Sequence, residues 1–502
     1  MNIKEKIKQN KWNIIITLIY AIVTFIITVF FHEKWRDEAQ AWLIAKDLDI
    51  IGIIKQMSFE GHPPLWHLIL MPFAKLGFPY ITESIISWGI MVITVWIFLN
   101  KSPFKKETKI LILLTAPFIY LYPSIARNYC LIPLALALIA MYYPKRKEKM
   151  LGYCLSVLLL AYTHVLMLSM VGILYLFYFI DEIFYTKKTK ADKKRLTIAI
   201  AISAIGLICL IFILMGSTTK NTEIPLNNDN TVFSINKVKL LTNSIFGQLF
   251  GVVSNSKGFE IYFYIWLILL VLFQARKNLE NLVIAFVTIS WQIFIYLFIY
   301  GASYQKTSIL LLIAVFIAWI NSYNEKSIEE NRFFVNINKI VKLGCLVALV
   351  LNAMLGVTEI NYDIKDNYSN AKDIAQYINK NIEKDSIFIC INTSTASAVI
   401  PYTHGQKYWN PVSEEYFSYI TWNKSSLTNI SLDEIIKKVQ KEFNKNEKLY
   451  LIESDRSSNN QTESIKNFQQ KNILSEKLYD TDDDCVVKGE SYTIYKINLQ
   501  EN

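Results

Sequence analysis

Trp12–Trp42 reads WNIIITLIYAIVTFIITVFFHEKWRDEAQAW. From Trp12 to Phe31 it holds no charged residue. A helix of about 20 apolar residues is about 30 Å long, the thickness of a bilayer's hydrocarbon core. The run is too long for a signal peptide and has no small-residue cleavage pattern, so it reads as a retained span. Lys4, Lys6, Lys8 and Lys11 precede it. The positive-inside rule puts them in the cytoplasm and delivers the segment after Phe31 to the outer face. That segment is charged: Trp35-Arg36-Asp37-Glu38-Ala39 and then Glu60-Gly61-His62-Pro63-Pro64-Leu65-Trp66. Charges beside a span are costly to desolvate and point to function.

The remainder of the 502-residue chain repeats the first theme. It is 53% hydrophobic, with 29 Phe, 29 Tyr and 11 Trp. The net charge of +10 is unevenly divided: residues 1–360 carry 35 basic against 21 acidic side chains, residues 361–502 carry 17 against 21. The basic excess therefore sits in the membrane part, where it sets topology and says nothing for nucleic acid. The six cysteines are scattered, with no C-x-x-C pair. Cys390 and Cys485 could pair only in an oxidising compartment.

Charge and hydropathy give about eleven spans. Leu65–Leu76 is interrupted by Pro72 and Lys75. Counting it as a span would export Lys101, Lys105, Lys106 and Lys109, so it is expected to lie at the interface or re-enter. Glu83–Leu99 is then the second span. Lys109–Tyr122, Asn128–Tyr143, Leu151–Tyr162, Val165–Ile180, Leu196–Met215, Phe259–Phe273, Asn281–Tyr300, Thr307–Ile320 and Val341–Val357 come after it, with every basic cluster inside. A long outer loop carries an amphipathic candidate near Val238–Val253. Beyond residue 360 the pattern becomes polar and alternates helix with strand: helices over Asn370–Asn379 and Leu432–Phe443, strands over Ser386–Ile391, Lys448–Ile452 and Tyr492–Ile497. This is a small α/β domain, on the same side as the first outer loop and without a glycine-rich phosphate loop.

Several residues could carry chemistry. Asp37 and Glu38 read either as solvated carboxylates at a helix end or, against Trp35, Ala39, Ala41 and Trp42, as a general base of tuned pKa. Glu60 and His62 stand at a Gly-Pro-Pro turn that starts a helix. His32, His62 and His67 raise the question of a metal, but their spacing fits no trusted ligand pattern. Arg127 reads as a phosphate clamp or as an arginine reaching for headgroups. His164 sits at a tight outer turn. Lys306, beside Tyr304 and Gln305, is the basic residue of another outer turn; against the positive-inside rule, phosphate is a good reason for it. A base with several cations suits transfer of a group away from a phosphate leaving group. The acceptor hydroxyl needs the base, and the departing phosphate needs only charge stabilisation.

Arg36-Asp37-Glu38-Ala39, the motif Glu60–Trp66, Ala126-Arg127-Asn128-Tyr129 and Tyr162-Thr163-His164, in this order, resemble the GT-C glycosyltransferases, the superfamily of protein O-mannosyltransferases and lipid A aminoarabinose transferases. Asn367–Ala375 resembles the start of the soluble domain in a bacterial branch of that superfamily. The resemblance implies a polyprenyl-phosphate sugar donor, inversion at the anomeric carbon and a site on the non-cytoplasmic face. It implies Asp37 as base, Glu38 and Glu60 as groups orienting acceptor or sugar, and His62, Arg127 and Lys306 on the donor phosphate. Arg36, His164 and Tyr304 complete the expected substrate-binding set. Many relatives of that branch carry Arg-His where this chain has Gln305-Lys306. No cofactor is implied, and a divalent metal stays open.

The expectation is a polytopic α-helical membrane protein, GT-C-like over residues 1–360 with its site motifs in 32–82. An extracytoplasmic α/β domain over 361–502 completes it. It is expected in the plasma membrane of a bacterium, N-terminus in the cytoplasm, moving a sugar from a polyprenyl-phosphate donor to an envelope polymer, glycolipid or protein. The rival readings are a transporter or flippase of lipid-linked saccharides, and a membrane-anchored binding module. A transporter would place ionisable residues at mid-bilayer, whereas most charges here lie at span ends.

Overall fold

The computed structural model describes residues 3–185, 189–215, 234–251, 278–299, 301–324, 332–422, 432–444, 446–454, 474–481 and 485–499. The chain begins with helix α1 (Ile3–Ile26), whose last turn widens into a π-turn over Ile27–Phe31. Its outward face, with Leu18, Ile19, Ile22 and Phe30, is exposed apolar surface suited to lipid. The segment after it then folds as three short helices, α2 (Arg36–Asp47), α3 (Ile50–Glu60) and α4 (Leu65–Lys75). Asp49 starts α3 by accepting a bond from the Gly52 amide, and Gly61, at φ 69°, ends it in the left-handed conformation that glycine adopts without penalty. Helix α4 has 11 residues, about 16 Å, too short to cross a bilayer. It packs on α2 and leaves Leu76 and Phe78 exposed beyond its end.

Among the described residues, seven helical segments are long and apolar enough to span: Asn10–Phe31, Thr82–Lys101, Val165–Phe184, Lys190–Met215, Leu279–Phe298, Tyr304–Asn321 and Val335–Lys365. Three other expected spans are helices that stop short of that length. Lys106–Leu113 gives way to a π-turn at Pro117 and a single turn at Pro123; Leu131–Tyr142 and Met150–Ala161 each have 12 residues. Proline removes a backbone donor and breaks the first of these. Phe259–Phe273 lies outside the described residues. The amphipathic candidate is a helix over Ile235–Phe250.

The last membrane helix, Arg332–Lys365, runs unbroken past residue 360, five residues beyond the expected domain boundary. It touches the bundle closely: a Cβ on Gly356 would stand 3.0 Å from Ala116 Cα and 2.9 Å from Ile119 Cγ2. Beside it Asn352 accepts a bond from the Ala116 amide at 2.9 Å and donates to the Leu249 carbonyl at 2.6 Å, which satisfies backbone groups that the irregular turns would leave orphaned.

The C-terminal part is a six-stranded mixed sheet of order β3-β2-β1-β4-β6-β5. β1 (Ile387–Cys390) is parallel to β2 (Lys407–Asn410) and β4 (Leu449–Ser454); β3 (Glu415–Tyr416), β5 (Leu474–Asp480) and β6 (Tyr492–Ile497) pair antiparallel. Helix Ala371–Asn381 buries Ile374, Ala375 and Ile378 with Phe388 and Tyr408. Helix Leu432–Glu442 buries Ile435, Ile436 and Val439 with Ile389 and Trp409. The two sets form separate cores, so the alternation along β1 supplies both faces of the sheet. Cys390 is buried in the first of these cores, and Cys485 lies half-buried where its segment pairs with Asn367.

Candidate active site

The first turn of α2 is the centre of the site. Trp35 is extended, and Arg36, Asp37 and Glu38 come next, in the turn where carboxylates complement the helix dipole. Glu38 is fully buried, and both oxygens are occupied. One accepts the Ala126 amide at 2.7 Å; the other accepts the Trp35 amide at 3.3 Å and faces His32 Nε2 at 3.1 Å. The opposite nitrogen of His32 meets Asp363, on the last membrane helix, at 3.1 Å. Burial works against a charge on His32, but the carboxylates of Asp363 and Glu38 outweigh it and raise its pKa to about 10. Glu38 thus ties the loop to its surroundings, where the sequence offered it as a group at the reacting centre.

Asp37 faces the other way and is partly exposed. Its Oδ2 accepts a bond from Arg127 Nη1 at 2.5 Å, and Arg36 Nε lies 3.9 Å from its Oδ1. The Arg127 guanidinium lies between two rings, 5.9 Å from the centroid of Trp35 and 5.4 Å from that of Tyr129. This holds the cation in place, and among the described residues its guanidinium hydrogen-bonds to Asp37 alone, which leaves further N–H donors for an anion. Arg127 comes directly after the broken helix at Pro117 and Pro123; that break brings it over α2.

Around this pair stand the other expected residues. Glu60, at the end of α3, accepts bonds from Gln40 Nε2 at 2.8 Å and Gln56 Nε2 at 3.0 Å. Burial lifts its pKa to about 7, the two amides and Arg127 oppose the rise, and Asp37 adds to it. His62 stacks on His67 with centroids 5.3 Å apart; burial and then Arg127 lower its pKa to about 4. His164 accepts the Leu166 amide on Nδ1 at 3.1 Å, which leaves its proton on Nε2, and stacks on Tyr129 with centroids 5.0 Å apart. Burial, His62, Lys306 and Arg127 all hold His164 well below the usual histidine range. Lys306 lies within the electrostatic reach of Arg127 and Asp37. The Tyr304 hydroxyl is buried and has no hydrogen-bond partner among the described residues. Asp37, Glu60, His62, Arg127, His164 and Lys306 therefore share one electrostatic environment. Among the described residues, no three His, Cys, Asp or Glu side chains converge as a metal site. The nitrogens of His32 are taken by carboxylates on opposite sides.

Four contributors carried no signal in the sequence. Gln40 and Gln56 are polar positions on helices otherwise read for their apolar faces, and each shows its role only when Glu60 is beside it. Glu490, from the C-terminal domain, accepts the Arg36 amide at 3.1 Å and so caps the helix that carries Asp37. Lys34 is buried with Glu83 3.9 Å away, sits 3.3 Å from the Tyr80 centroid and donates to the Tyr80 carbonyl. Its backbone amide donates to the Tyr402 hydroxyl, again from the C-terminal domain. The domain thus sits directly on the segment that follows the first span.

Short helices after the first span, a bundle behind them and a small sheet domain against them make this a polytopic helical membrane fold. The particular likeness is to the aminoarabinose transferase ArnT. The crystal structure of ArnT from Cupriavidus metallidurans bound to undecaprenyl phosphate superposes with a TM-score of 0.53 over 97% of this chain and 98% of that one, at 10% identity. The apo structure of the same protein gives 0.49 over the same shares, at 11% identity. No family model and no curated protein matches the sequence.

Proposed function

We propose that the protein is a glycosyltransferase that moves a sugar from a polyprenyl-phosphate donor to an acceptor of the cell envelope. The observation that carries this reading is the Asp37–Arg127 pair at 2.5 Å, surrounded by Glu60, His62, His164 and Lys306. The solved structure of like fold holds undecaprenyl phosphate, which supports the choice of donor lipid.

Asp37 takes the proton of the acceptor hydroxyl. The acceptor oxygen forms its bond to the anomeric carbon from the face opposite the leaving group, so configuration inverts. The bond from that carbon to the phosphate oxygen breaks, and the polyprenyl phosphate leaves with the electron pair. Arg127, with donors to spare beyond Asp37, and Lys306 stabilise the charge on that phosphate. His62 and His164, kept neutral at physiological pH, serve as hydrogen-bond partners rather than cations. Glu60 orients acceptor or sugar. The site stands on the outer face of a plasma membrane, with residues 366–502 beside it and the N-terminus in the cytoplasm.

The test is donor consumption by purified full-length protein in detergent, across a panel of polyprenyl-phosphate sugars and with an envelope extract as acceptor source. Release of polyprenyl phosphate from one donor with the sugar recovered on an extract component is the expected result. A folded protein that consumes none would overturn the reading and bring the transporter forward.

A further inference from the structure

The backbone of one residue of the C-terminal domain, Ile420, is bound through its N–H and its C=O by two side chains that also bind Glu60. Gln40 Oε1 accepts the Ile420 amide at 2.9 Å, and Gln40 Nε2 donates to the Ile420 carbonyl at 2.7 Å. Gln56 Nε2 donates to the same carbonyl at 3.1 Å. The remaining N–H of each amide goes to Glu60 Oε1. A primary amide has two N–H donors, so both glutamine nitrogens are fully used and neither amide can flip without breaking the set. Both glutamines are buried, where a broken bond is not replaced by water.

We propose that Gln40 and Gln56 are positioning residues that, locked by the Ile420 backbone of the C-terminal domain, dedicate Glu60 Oε1 to the scaffold and leave Oε2 as the only oxygen of that carboxyl that can carry a proton or meet substrate. This rests on reading Glu60 as part of a transferase site. Oε1 already accepts two N–H bonds, so a proton on it would face two donors; on Oε2 it meets none of them. The two bonds favour the carboxylate over the acid. Of the charged groups whose fields reach Glu60, Asp37 on α2 opposes its ionisation and Arg127 on the loop before Tyr129 favours it; the Ile420 backbone facing the clamp is neutral.

The experiment tracks the infrared carboxylic-acid C=O band of Glu60, identified by its loss in Glu60→Gln, through a pH titration of full-length protein in detergent. Gln56→Met is the first variant, because it leaves both Gln40–Ile420 bonds in place; Gln40→Met is the second, should the first fail to fold. The expected midpoint is near 7 in the wild type. In a folded variant it rises by about one to two pH units, the worth of one hydrogen bond to a charged group. Donor turnover, measured on the same samples, loses rate at pH 7 while KM for donor holds. A midpoint that stays put in every folded variant overturns the proposal, even where turnover falls. A shifted midpoint in a protein that consumes no donor leaves the clamp standing and removes the transferase reading.

Discussion

Asp37→Asn separates chemistry from architecture in this site. Asparagine keeps the volume and the acceptor oxygen, so the contact with Arg127 Nη1 survives as a hydrogen bond from the guanidinium to an uncharged amide oxygen. The substitution removes the negative charge and with it the ability to take a proton. General-base catalysis contributes about 10²–10⁴ in rate, and each tenfold is about 1.36 kcal/mol of barrier, so the expected loss is about 3–5 kcal/mol of transition-state stabilisation. The cost to the fold is smaller. The side chains of Asp37 and Arg127 are 29% and 19% exposed, between a solvated ion pair worth about 0–1 kcal/mol and a buried one that costs about 3–5 kcal/mol to break. About 1–2 kcal/mol is therefore expected on stability. The assay is single-turnover transfer from a radiolabelled polyprenyl-phosphate sugar at saturating donor, with thermal unfolding in the same detergent. A variant that transfers within about threefold of the wild type refutes the assignment of the base, and Glu60 becomes the next carboxylate to test.

His32→Leu leaves Glu38 and Asp363 buried without their cation, and thermal or denaturant unfolding should show a loss of about 3–5 kcal/mol. Because the folded state raises the His32 pKa from 6.5 to about 10, its stabilisation is complete below pH 6.5 and fades as pH rises through 10; the variant's unfolding profile should be flat across that window where the wild type falls. Gly356→Ala forces a methyl against Ala116 backbone atoms and should cost about 1–3 kcal/mol, read as a lower melting temperature with donor KM unaltered. Glu490→Ala uncaps the helix of Asp37 and should cost about 1 kcal/mol of stability, with proteolysis releasing the C-terminal domain's contact with the loop sooner than in the wild type.

How much of the molecule was legible in the sequence depended on how directly each feature arises from local pattern. The long uncharged helices, the short α4 and the strand Tyr492–Ile497 declare themselves through hydropathy and alternation. The two-residue strand Glu415–Tyr416 and Lys407–Asn410 carry too few residues for a period, and only pairing with β1 and with each other defines them. In the site, Asp37, Arg127 and His164 stood out as charged or titratable groups beside spans, and the fold brings them together. The opposite fates of Asp37 and Glu38 were not legible, since adjacent residues on a helix point about 100° apart and only the tertiary context says which one faces His32. Gln40 and Gln56 were silent for the same reason: an amide has no charge to betray its partner.

The bond from His32 to Asp363 joins positions 331 residues apart. At about 5–20 residues per second, a ribosome takes on the order of tens of seconds to make the chain between them. Through that interval His32 and Glu38 lack their third member. The loop that carries Asp37 is made early and becomes fixed late, so a nascent chain halted before the helix Arg332–Lys365 holds His32, Asp37, Glu38 and Arg127 without the contact that ties them together.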